Sequence, residues 1–213
     1  MALSFVVGTN NAGKFDEIKT ILGDLPVRLH SLKEFGNVRT AEERGDTYAE
    51  NAIAKAQQYC AATGLWTLAD DSGLEVEALG GAPGVFSARY AGEGASDHDR
   101  RVLLLSELSK LSGSARSARF VCVIALVDQK QNLINISEGT CSGRISETPR
   151  GTGGFGYDPI FVPDGYDLTF AELAPRLKNL ISHRARALLA MKGFLLREVG
   201  RDPKGSRPRS RQA

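Results

Sequence analysis

The sequence has few cysteines and no long apolar run. Its 213 residues include 3 cysteines, and no apolar stretch approaches the roughly 18 residues that cross a bilayer as a helix. The first residues lack the basic region of a signal peptide. We therefore expect a cytoplasmic protein that has no membrane partner and that, at this length, needs no disulfide to fold. No zinc motif joins the cysteines, and two of them lie in apolar patterns typical of buried residues, Cys60 and Cys122.

A basic excess on the body of the chain is also missing. The chain has 27 Lys and Arg against 25 Asp and Glu, for a net charge of +2. Residues 200–213 hold five of the basic residues and one of the acidic ones, so residues 1–199 carry a net charge of −2. A folded nucleic-acid-binding protein keeps its basic excess on the body, so we expect no nucleic-acid partner. The composition predicts a single folded domain over 1–199 and a basic, disordered tail over 200–213.

Apolar periodicity predicts alternating strands and helices in the first half of the chain and a hairpin in the second. Asn11 is a predicted N-cap, and Thr47 with Glu50 forms a capping-box pattern. Because strand–helix–strand units pair their strands parallel and a hairpin pairs them antiparallel, we expect an α/β fold with a mixed sheet. The predicted strands are 3–7, 27–32, 66–69, 118–128, 132–142 and 160–162, and the predicted helices are 11–22, 47–63, 97–111 and 181–199.

The first candidate site follows the first predicted strand and opens the first helix. Free backbone N–H groups and the helix dipole favour an anion at such a position, Gly13 lets a ligand approach the backbone, and Lys14 adds a charge. The segment therefore predicts a phosphate-binding turn, although it is neither a P-loop nor a dinucleotide fingerprint. An ordinary capped turn is the alternative. The residues of this first candidate site are Thr9, Asn10, Asn11, Ala12, Gly13 and Lys14.

Two adjacent carboxylates, Asp70 and Asp71, follow a short apolar strand. Carboxylates at the end of a strand suit a cation that keeps part of its water, such as Mg²⁺. A carboxylate beside a bound metal can also accept a proton from the attacking water. Glu42 and Glu43 upstream could complete such a site. The alternative is a turn over residues 70–73 in which Asp and Ser side chains cap backbone groups.

A glycine-rich segment at 151–159 contains two aromatic residues and an acid, Phe155, Tyr157 and Asp158. A flexible backbone around aromatic rings can form a wall on which a planar base stacks, with the acid facing the edge of the base. A tight turn whose aromatic residues lie in the core is the alternative.

Lys178, His183 and Arg184 place three donors within two helical turns. Such donors suit phosphates or a base edge that is rich in carbonyl oxygens, and a solvated basic face is the alternative. In combination with the three preceding segments, however, this group points to a site for a nucleoside polyphosphate. The chain would then carry an anion-binding turn, a metal site, a stacking wall and a set of donors.

Six motifs between residues 9 and 184 form a wider pattern. They are Thr-x-Asn-x-x-Lys-x-x-Glu at 9–17, Glu-Glu-x-Gly-x-x-x-x-Glu-Asn-Ala-x-x-Lys-Ala at 42–56, Ala-Asp-Asp-Ser-Gly-Leu at 69–74, Leu-Gly-Gly-Ala-Pro-Gly-Val-x-Ser-Ala-Arg-Tyr at 79–90, Gly-Thr-Gly-Gly-Phe-Gly-Tyr-Asp-Pro-Ile-Phe at 151–161, and Ile-Ser-His-Arg at 181–184. In this order they resemble the inosine triphosphate pyrophosphatase family, whose members remove non-standard purine nucleotides.

The resemblance implies an elongated, two-lobed α/β fold with a long central mixed sheet flanked by helices and an active site in the cleft between the lobes. It implies a homodimer and dependence on Mg²⁺. The implied enzyme is a nucleoside triphosphate pyrophosphatase, a hydrolase that cleaves the α–β phosphoanhydride bond of ITP, dITP or XTP to give the nucleoside monophosphate and pyrophosphate.

The resemblance also implies roles for individual residues. Asp71 would accept the proton of the attacking water and would bind the metal with Glu42, and Glu43 or Asp70 is an alternative ligand. The substrate-binding residues that it implies are Thr9, Asn10, Asn11, Ala12, Gly13, Lys14 and Lys55 around the phosphates, Ser72 against the substrate, Phe155 stacked on the purine with Gly156, Tyr157 and Asp158 beside it, and Lys178, His183 and Arg184 at the base edge.

Two other functions remain open. One is a pyrophosphatase that acts on modified pyrimidine nucleotides, and the other is a non-catalytic nucleotide-binding or RNA-binding protein that uses the basic tail. The segment 155–158 and the donors at 181–184 favour a purine substrate, and the pair Asp70 and Asp71 argues against a non-catalytic protein.

Overall fold

One sheet with helices on both faces organises the structure, a computed structural model that describes residues 3–111 and 116–199. The strands are β1 (Leu3–Val7), β2 (Val27–Ser31), β3 (Trp66–Val76), β4 (Ser117–Val127), β5 (Leu133–Ile145) and β6 (Phe161–Pro163). The α-helices are α1 (Ala12–Leu22), α2 (Tyr48–Thr63), α3 (Asp97–Ser109), α4 (Pro175–Ile181) and α5 (His183–Val199).

The strands lie in the order β2-β1-β3-β4-β5-β6. β1 pairs parallel with β2 and β3, because α1 and α2 carry the chain back between these strands. β3, β4, β5 and β6 pair antiparallel, and a short turn joins β4 to β5. The expected α/β fold with a mixed central sheet is therefore confirmed.

Two apolar clusters divide the sheet along the length of its strands. One contains Leu68 of β3 and Leu188 of α5, and the other contains Leu74 of β3 and Phe161 of β6. Small residues of α2 form a further cluster on the opposite face of the sheet from α1 and α5. Because β3 runs through both clusters, the two lobes share one sheet, and residues 70–72 lie between them.

Side-chain caps begin the helices where the sequence predicts them. The side-chain oxygen of Asn11 accepts a hydrogen bond from the backbone N–H of Lys14 at 3.0 Å. Thr47 and Glu50 form the predicted capping box at the start of α2. Each cap satisfies an N–H group that has no partner within the helix, which stabilises the helix by about 1 kcal/mol. The caps thus fix the first turns of α1 and α2, which carry candidate site residues.

The turn that the sequence suggests at residues 70–73 does not exist. β3 continues through this segment, and both Asp70 and Asp71 pair with residues of the apolar strand β4. The prediction of a strand end at Ala69 is wrong because the hydrogen bonds and packing of a long antiparallel ladder outweigh the turn preference of Asp, Ser and Gly.

The closing helix is also different from the prediction. The helix predicted over 181–199 begins two residues later, as α5 at His183, and a helix that the sequence did not predict, α4, precedes it. Pro175 begins α4, and Ser182 separates the two helices with an extended backbone. The Ser182 hydroxyl then accepts a hydrogen bond from the N–H of Ala185 at 3.2 Å, which caps α5. This break sets the direction in which the first residues of α5 enter the fold.

Three further expectations concern the whole chain. Cys60 and Cys122 are buried and free, as predicted. Among residues 3–111 and 116–199, no helix combines the length and the apolar character needed to cross a membrane. The predicted basic tail, 200–213, lies outside the described residues, so the boundary of the domain at 199 stays a prediction.

Candidate active site

The candidate site lies where β1 ends beside β3. The last residues to pair between these strands are Val7 and Leu68. Farther along β3, no strand of the described ranges lies on this side until an isolated bridge forms with Pro83. The edge of β3 at Asp70 and Asp71 therefore faces a gap in the sheet, next to the turn that connects β1 to α1.

Asp70 and Asp71 point to opposite faces of β3, because successive side chains alternate along a strand. Asp70 shares its face with Ser72 and with residues of α1 and α5, whereas Asp71 shares its face with residues of α2. Both are buried, with 1% and 5% of their surface exposed. The two adjacent carboxylates consequently have different partners.

Asp71 lies in a small polar cluster with residues of α2 and of the loop before it. Its carboxylate accepts a hydrogen bond from the Asn51 side chain at 3.1 Å and lies 3.7 Å from the Lys55 ammonium. The same ammonium lies 2.8 Å from the carboxylate of Glu43. Burial raises the pKa of Asp71, and repulsion from Glu43 adds to this effect although Lys55 opposes it. Asp71 therefore holds a proton more tightly than an ordinary aspartate.

The carboxylates of Asp71 and Glu43 fit a hard divalent cation. Mg²⁺ in proteins is commonly held by one or two carboxylates together with water and substrate phosphates. In the part of the chain that the structure describes, no group of three or more His, Cys, Asp or Glu side chains forms a metal cage, so a cation here would complete its shell from phosphate and water. The carboxylate of Glu42 instead pairs with Arg39 at 3.3 Å and Arg44 at 2.9 Å and is 45% exposed.

On the other face of β3, Asp70 is surrounded by cations. Its Oδ2 lies 3.0 Å from the Lys14 ammonium and accepts hydrogen bonds from Nη2 and Nε of Arg184 at 3.0 and 3.2 Å. Burial alone would raise the pKa of Asp70, but Lys14 and Arg184 outweigh it and hold the pKa well below its usual range. Asp70 is therefore a permanent anion that joins the first turn of α1 to the start of α5.

Glu17 extends this network towards the glycine-rich segment. Its two carboxylate oxygens accept hydrogen bonds from Arg184 at 2.6 Å and from Lys178 at 2.8 Å. Lys178 in turn pairs with the buried carboxylate of Asp158. Side chains of alternating charge therefore link Arg184, through Glu17 and Lys178, to Asp158. Arg184, Lys178 and Asp158, which were predicted to line the base edge and the pocket, are each almost fully buried. Their side chains are held in place rather than solvated, so they do not form the basic surface face that was the alternative.

The two aromatic residues of the glycine-rich segment, Phe155 and Tyr157, differ in their surroundings. The ring of Phe155 lies 4.6 Å below the Lys178 ammonium, in cation–π geometry. A side chain at Gly13 would come within 2.6 Å of this ring, so α1 approaches it only because residue 13 has no Cβ. Tyr157 is buried and donates a hydrogen bond to the carbonyl of Ser87 at 3.0 Å. Phe155 therefore borders the cavity, whereas Tyr157 packs in the core and lines the cavity from there.

His183 is buried at the start of α5 and stacks on Phe120, with ring centroids 4.5 Å apart and planes 10° from parallel. Burial lowers the pKa of His183 well below its usual range, and the nearby Arg184 and Lys178 lower it further. Its Nδ1 atom has no hydrogen-bond partner in the structure. The residue is therefore a neutral imidazole at ordinary pH.

One cavity collects most of the predicted binding residues. It borders on both lobes and includes residues that the sequence did not single out, such as Asp97, Arg100 and Phe120. The predicted residues that line it are Asn11, Lys14, Ser72, Phe155, Gly156, Tyr157, Asp158, Lys178, His183 and Arg184. Thr9, Asn10 and Ala12 line a neighbouring cavity at the start of α1, and Lys55 lies beside Asp71.

The turn before α1 is capped by its own side chains. The hydroxyl of Thr9 accepts a hydrogen bond from the N–H of Asn11, and the Asn11 side chain caps the helix. Asn10 donates to Thr40 at 3.2 Å, which ties the turn to the loop before α2. The first turn of α1 therefore presents its positive end at the edge of the cavity, beside Lys14, where an anionic group is favoured.

A family model described as the Ham1 family matches residues 5–194 of this chain. The chain belongs to the Ham1 family. The family resemblance found in the sequence is thereby confirmed, and the match covers both lobes and every predicted site residue. The residues that line the two cavities and form the Asp71 cluster all lie within the matched range.

Individual relatives agree with the Ham1 assignment. The dITP/XTP pyrophosphatase of Geobacter sulfurreducens is 49% identical over 190 residues, which are 89% of this chain and 95% of that protein. The dITP/XTP pyrophosphatase of Shouchella clausii is 47% identical over 187 residues, which are 88% of this chain and 93% of that protein. A solved HAM1 protein from Coxiella burnetii superposes with a TM-score of 0.83 at 44% identity and covers 92% of this chain and 99% of its own.

Sequence reasoning gave no role to several residues that hold the Ham1 site together. Glu17 was quoted only as part of a motif, yet it joins Lys178 to Arg184. Its position three residues after Lys14 offered a signal, because residues at this spacing share a helix face. Asp97 and Phe120 gave no comparable signal, since their partners in the site lie about 60 residues away in the sequence.

Proposed function

We propose that this Ham1-family chain is a nucleoside triphosphate pyrophosphatase that removes ITP, dITP and XTP from the nucleotide pool. The observation that carries the proposal is the cavity in which Lys14, Phe155, Lys178 and Arg184 meet. It combines a cation for a phosphate, a ring for stacking and two fixed donors for a base edge. The dITP/XTP pyrophosphatases named above, which share nearly half of their aligned residues with this chain, support the same reaction.

The buried donors account for a preference among purines. Hypoxanthine and xanthine carry a carbonyl oxygen at C6, where adenine carries an amine. Arg184 and Lys178 can only donate hydrogen bonds, so adenine would leave donors facing donors. An unpaired buried polar group costs about 1–3 kcal/mol, or roughly ten- to a hundredfold in selectivity for each mismatch.

We assign the remaining predicted residues to the rest of the substrate. Phe155 stacks on the purine, with Gly156, Tyr157, Asp158 and His183 around the base. Ser72 contacts the substrate between base and phosphates. The residues that hold the phosphates are Thr9, Asn10, Asn11, Ala12, Gly13, Lys14 and Lys55.

We assign the hydrolytic step to Asp71. Its carboxylate accepts a proton from water, the oxygen of that water bonds to phosphorus, and the α–β phosphoanhydride bond breaks to release pyrophosphate. Mg²⁺ would be held by Asp71 with either Glu42, as the sequence pattern implies, or Glu43, which lies closer to Lys55. When bound, the ion neutralises the charge that develops on the phosphates. Burial, and to a smaller extent the charge of Glu43, raises the pKa of Asp71, which makes it a better proton acceptor than an ordinary aspartate.

Pyrophosphate release from dITP, ITP, XTP, GTP and ATP, measured with Mg²⁺ and with EDTA, tests the proposal. We expect rapid release from the first three and little from ATP or in EDTA. Release from none of them would reject the reaction, and release only from modified pyrimidine nucleotides would replace the substrate. Mass measurement in solution and localisation of the tagged protein test the accompanying proposals of a homodimer and a cytoplasmic location.

A further inference from the structure

The first turn of α3 holds one residue of the glycine-rich segment by both of its backbone polar groups. The carboxylate of Asp97 accepts a hydrogen bond from the N–H of Gly156 at 2.8 Å. Arg101, one helical turn later, donates from Nη1 to the carbonyl of Gly156 at 2.6 Å. Gly156 has φ +60°, in the left-handed region, so its orientation depends on these external contacts.

The carboxylate of Asp97, which accepts one of these two hydrogen bonds, is itself held. Arg100 donates to the second carboxylate oxygen of Asp97 at 2.5 Å and to the carbonyl of Ala95 at the same distance. The carboxylate of Asp97 is thus fixed with one oxygen on Arg100 and the other on Gly156. Asp97 and Arg100 also line the cavity that contains Phe155, so the grip borders the site.

The two hydrogen bonds from α3 hold the backbone next to the stacking residue of the proposed function. Phe155 directly precedes Gly156, and its N–H donates to Asp158 at 2.8 Å. Asp158 is fixed from the far side of the cavity by Lys178. The backbone that carries the Phe155 ring is therefore held from two directions, by α3 on one side and by α4 on the other. Removing the α3 contact would free the peptide groups on both sides of Gly156.

We propose that Asp97 and Arg101 are positioning residues that set the orientation of the Phe155 ring and thereby the affinity for the base. The inference rests on the proposed function, since it concerns the base part of that substrate. Among residues 3–111 and 116–199, neither side chain forms a hydrogen bond or an ion pair with the Asp71 cluster or with the turn before α1. We therefore expect them to act on base binding and not on the phosphates or on the chemical step.

Arg101→Met tests this directly, because Met keeps the length of the side chain and removes its donors. We expect the KM for dITP to rise about tenfold, as for the loss of one charge-assisted hydrogen bond, with kcat nearly unchanged. The affinity for inorganic tripolyphosphate, measured by calorimetry, should stay at the wild-type value. Arg116→Met is the matched control, since Arg116 also donates to a backbone carbonyl, that of Ser146 at 3.1 Å, but outside the cavity.

A double variant decides whether Arg101 acts through the ring. In a Phe155→Ala background, Arg101→Met should cause little further rise in KM, because the ring that it positions is absent. An equal rise in both backgrounds, an unchanged KM in the single variant, or a parallel loss of tripolyphosphate affinity would each overturn the proposal. Arg101→Lys, which keeps a positively charged donor group but not the guanidinium geometry, should give an intermediate KM and serves if the Met variant does not fold.

Calorimetry in EDTA, where we expect little hydrolysis, measures the affinity for dITP by itself. Comparison with turnover in Mg²⁺ distinguishes a failure of this inference from a failure of the proposed function. If the wild-type protein binds dITP but does not hydrolyse it, the proposed reaction fails, and the affinities of the variants still decide the role of Arg101. If the wild-type protein hydrolyses dITP and the Arg101 variants bind it normally, the proposed function stands and this inference fails.

Discussion

Asp70 and Asp71 are neighbours in β3, yet their surroundings move their pKa values in opposite directions. Both are buried, which raises the pKa of a carboxyl group. On the Asp70 face, Lys14 and Arg184 lie within 3.2 Å and reverse the effect. On the Asp71 face, one ammonium, that of Lys55, is shared with Glu43, and burial prevails.

This difference in surroundings predicts a structural role for Asp70 and a catalytic role for Asp71. A carboxylate held between two fixed cations binds a proton weakly and keeps those cations in place. A carboxylate whose nearest ammonium is shared with a second carboxylate keeps more of its negative charge uncompensated, which suits proton transfer and cation binding. We therefore expect substitutions on the two faces to affect different properties.

The largest effect should come from Asp71→Asn. Removal of a general base typically lowers turnover by about 10²- to 10⁴-fold, and we expect kcat for dITP to fall by this amount while the free energy of unfolding changes little. Steady-state kinetics and urea denaturation measure the two quantities. Glu75→Gln is a control in the same strand, because Glu75 pairs with Arg119 outside the cavity. Turnover that survives in Asp71→Asn would remove the distinction between the faces.

Asp70→Asn should mainly affect stability. Removing one partner of a buried ion pair costs about 3–5 kcal/mol, because Lys14 and Arg184 would remain buried without their shared anion. Urea denaturation of both variants, Asp70→Asn and Asp71→Asn, measures the loss in free energy of unfolding that each substitution causes. A smaller loss in the Asp70 variant than in the Asp71 variant would contradict our account of the two faces.

The smallest effect concerns His183, the neutral imidazole on the Asp70 face. Because its folded-state pKa is depressed, the unfolded chain binds more protons, and stability is lost as the pH falls below the unfolded value of about 6.5. Between pH 7.5 and 5.5 this residue should account for about 1.4 kcal/mol of the decrease in the free energy of unfolding. In His183→Asn the decrease between these pH values should be smaller by that amount, and an unchanged decrease would show that His183 binds its proton as readily in the folded state as in the unfolded state.

Local sequence was sufficient where a short-range signal decides the structure. Asn11 and the pair Thr47 and Glu50 cap their helices as predicted, because each cap bonds a backbone group within three residues. It failed at residues 70–73, where a turn-like composition lies in the middle of a strand. The partner strand β4 is about 50 residues away, and nothing within the segment reports its presence.

The candidate site shows the same division. Residue type and motif order identified Asp71, Lys14, Phe155 and Arg184 as candidates, and their roles stay proposals. The sequence could not show that Glu43 rather than Glu42 lies against Lys55, since both glutamates fit the motif. Their separation depends on how the loop before α2 packs on that helix.

By itself the sequence determined the α/β class, the starts of α1, α2 and α3, the family and the residue types of the site, because these depend on periodicity, on caps and on the motifs at residues 9–184. Only the tertiary structure decided which carboxylate meets which cation. Alternation along β3 sends Asp70 to α1 and α5 and Asp71 to α2, and pairs such as Glu17 with Arg184 join residues 167 positions apart. Electrostatic energies depend on distance in space and on burial, and neither can be read from positions along the chain.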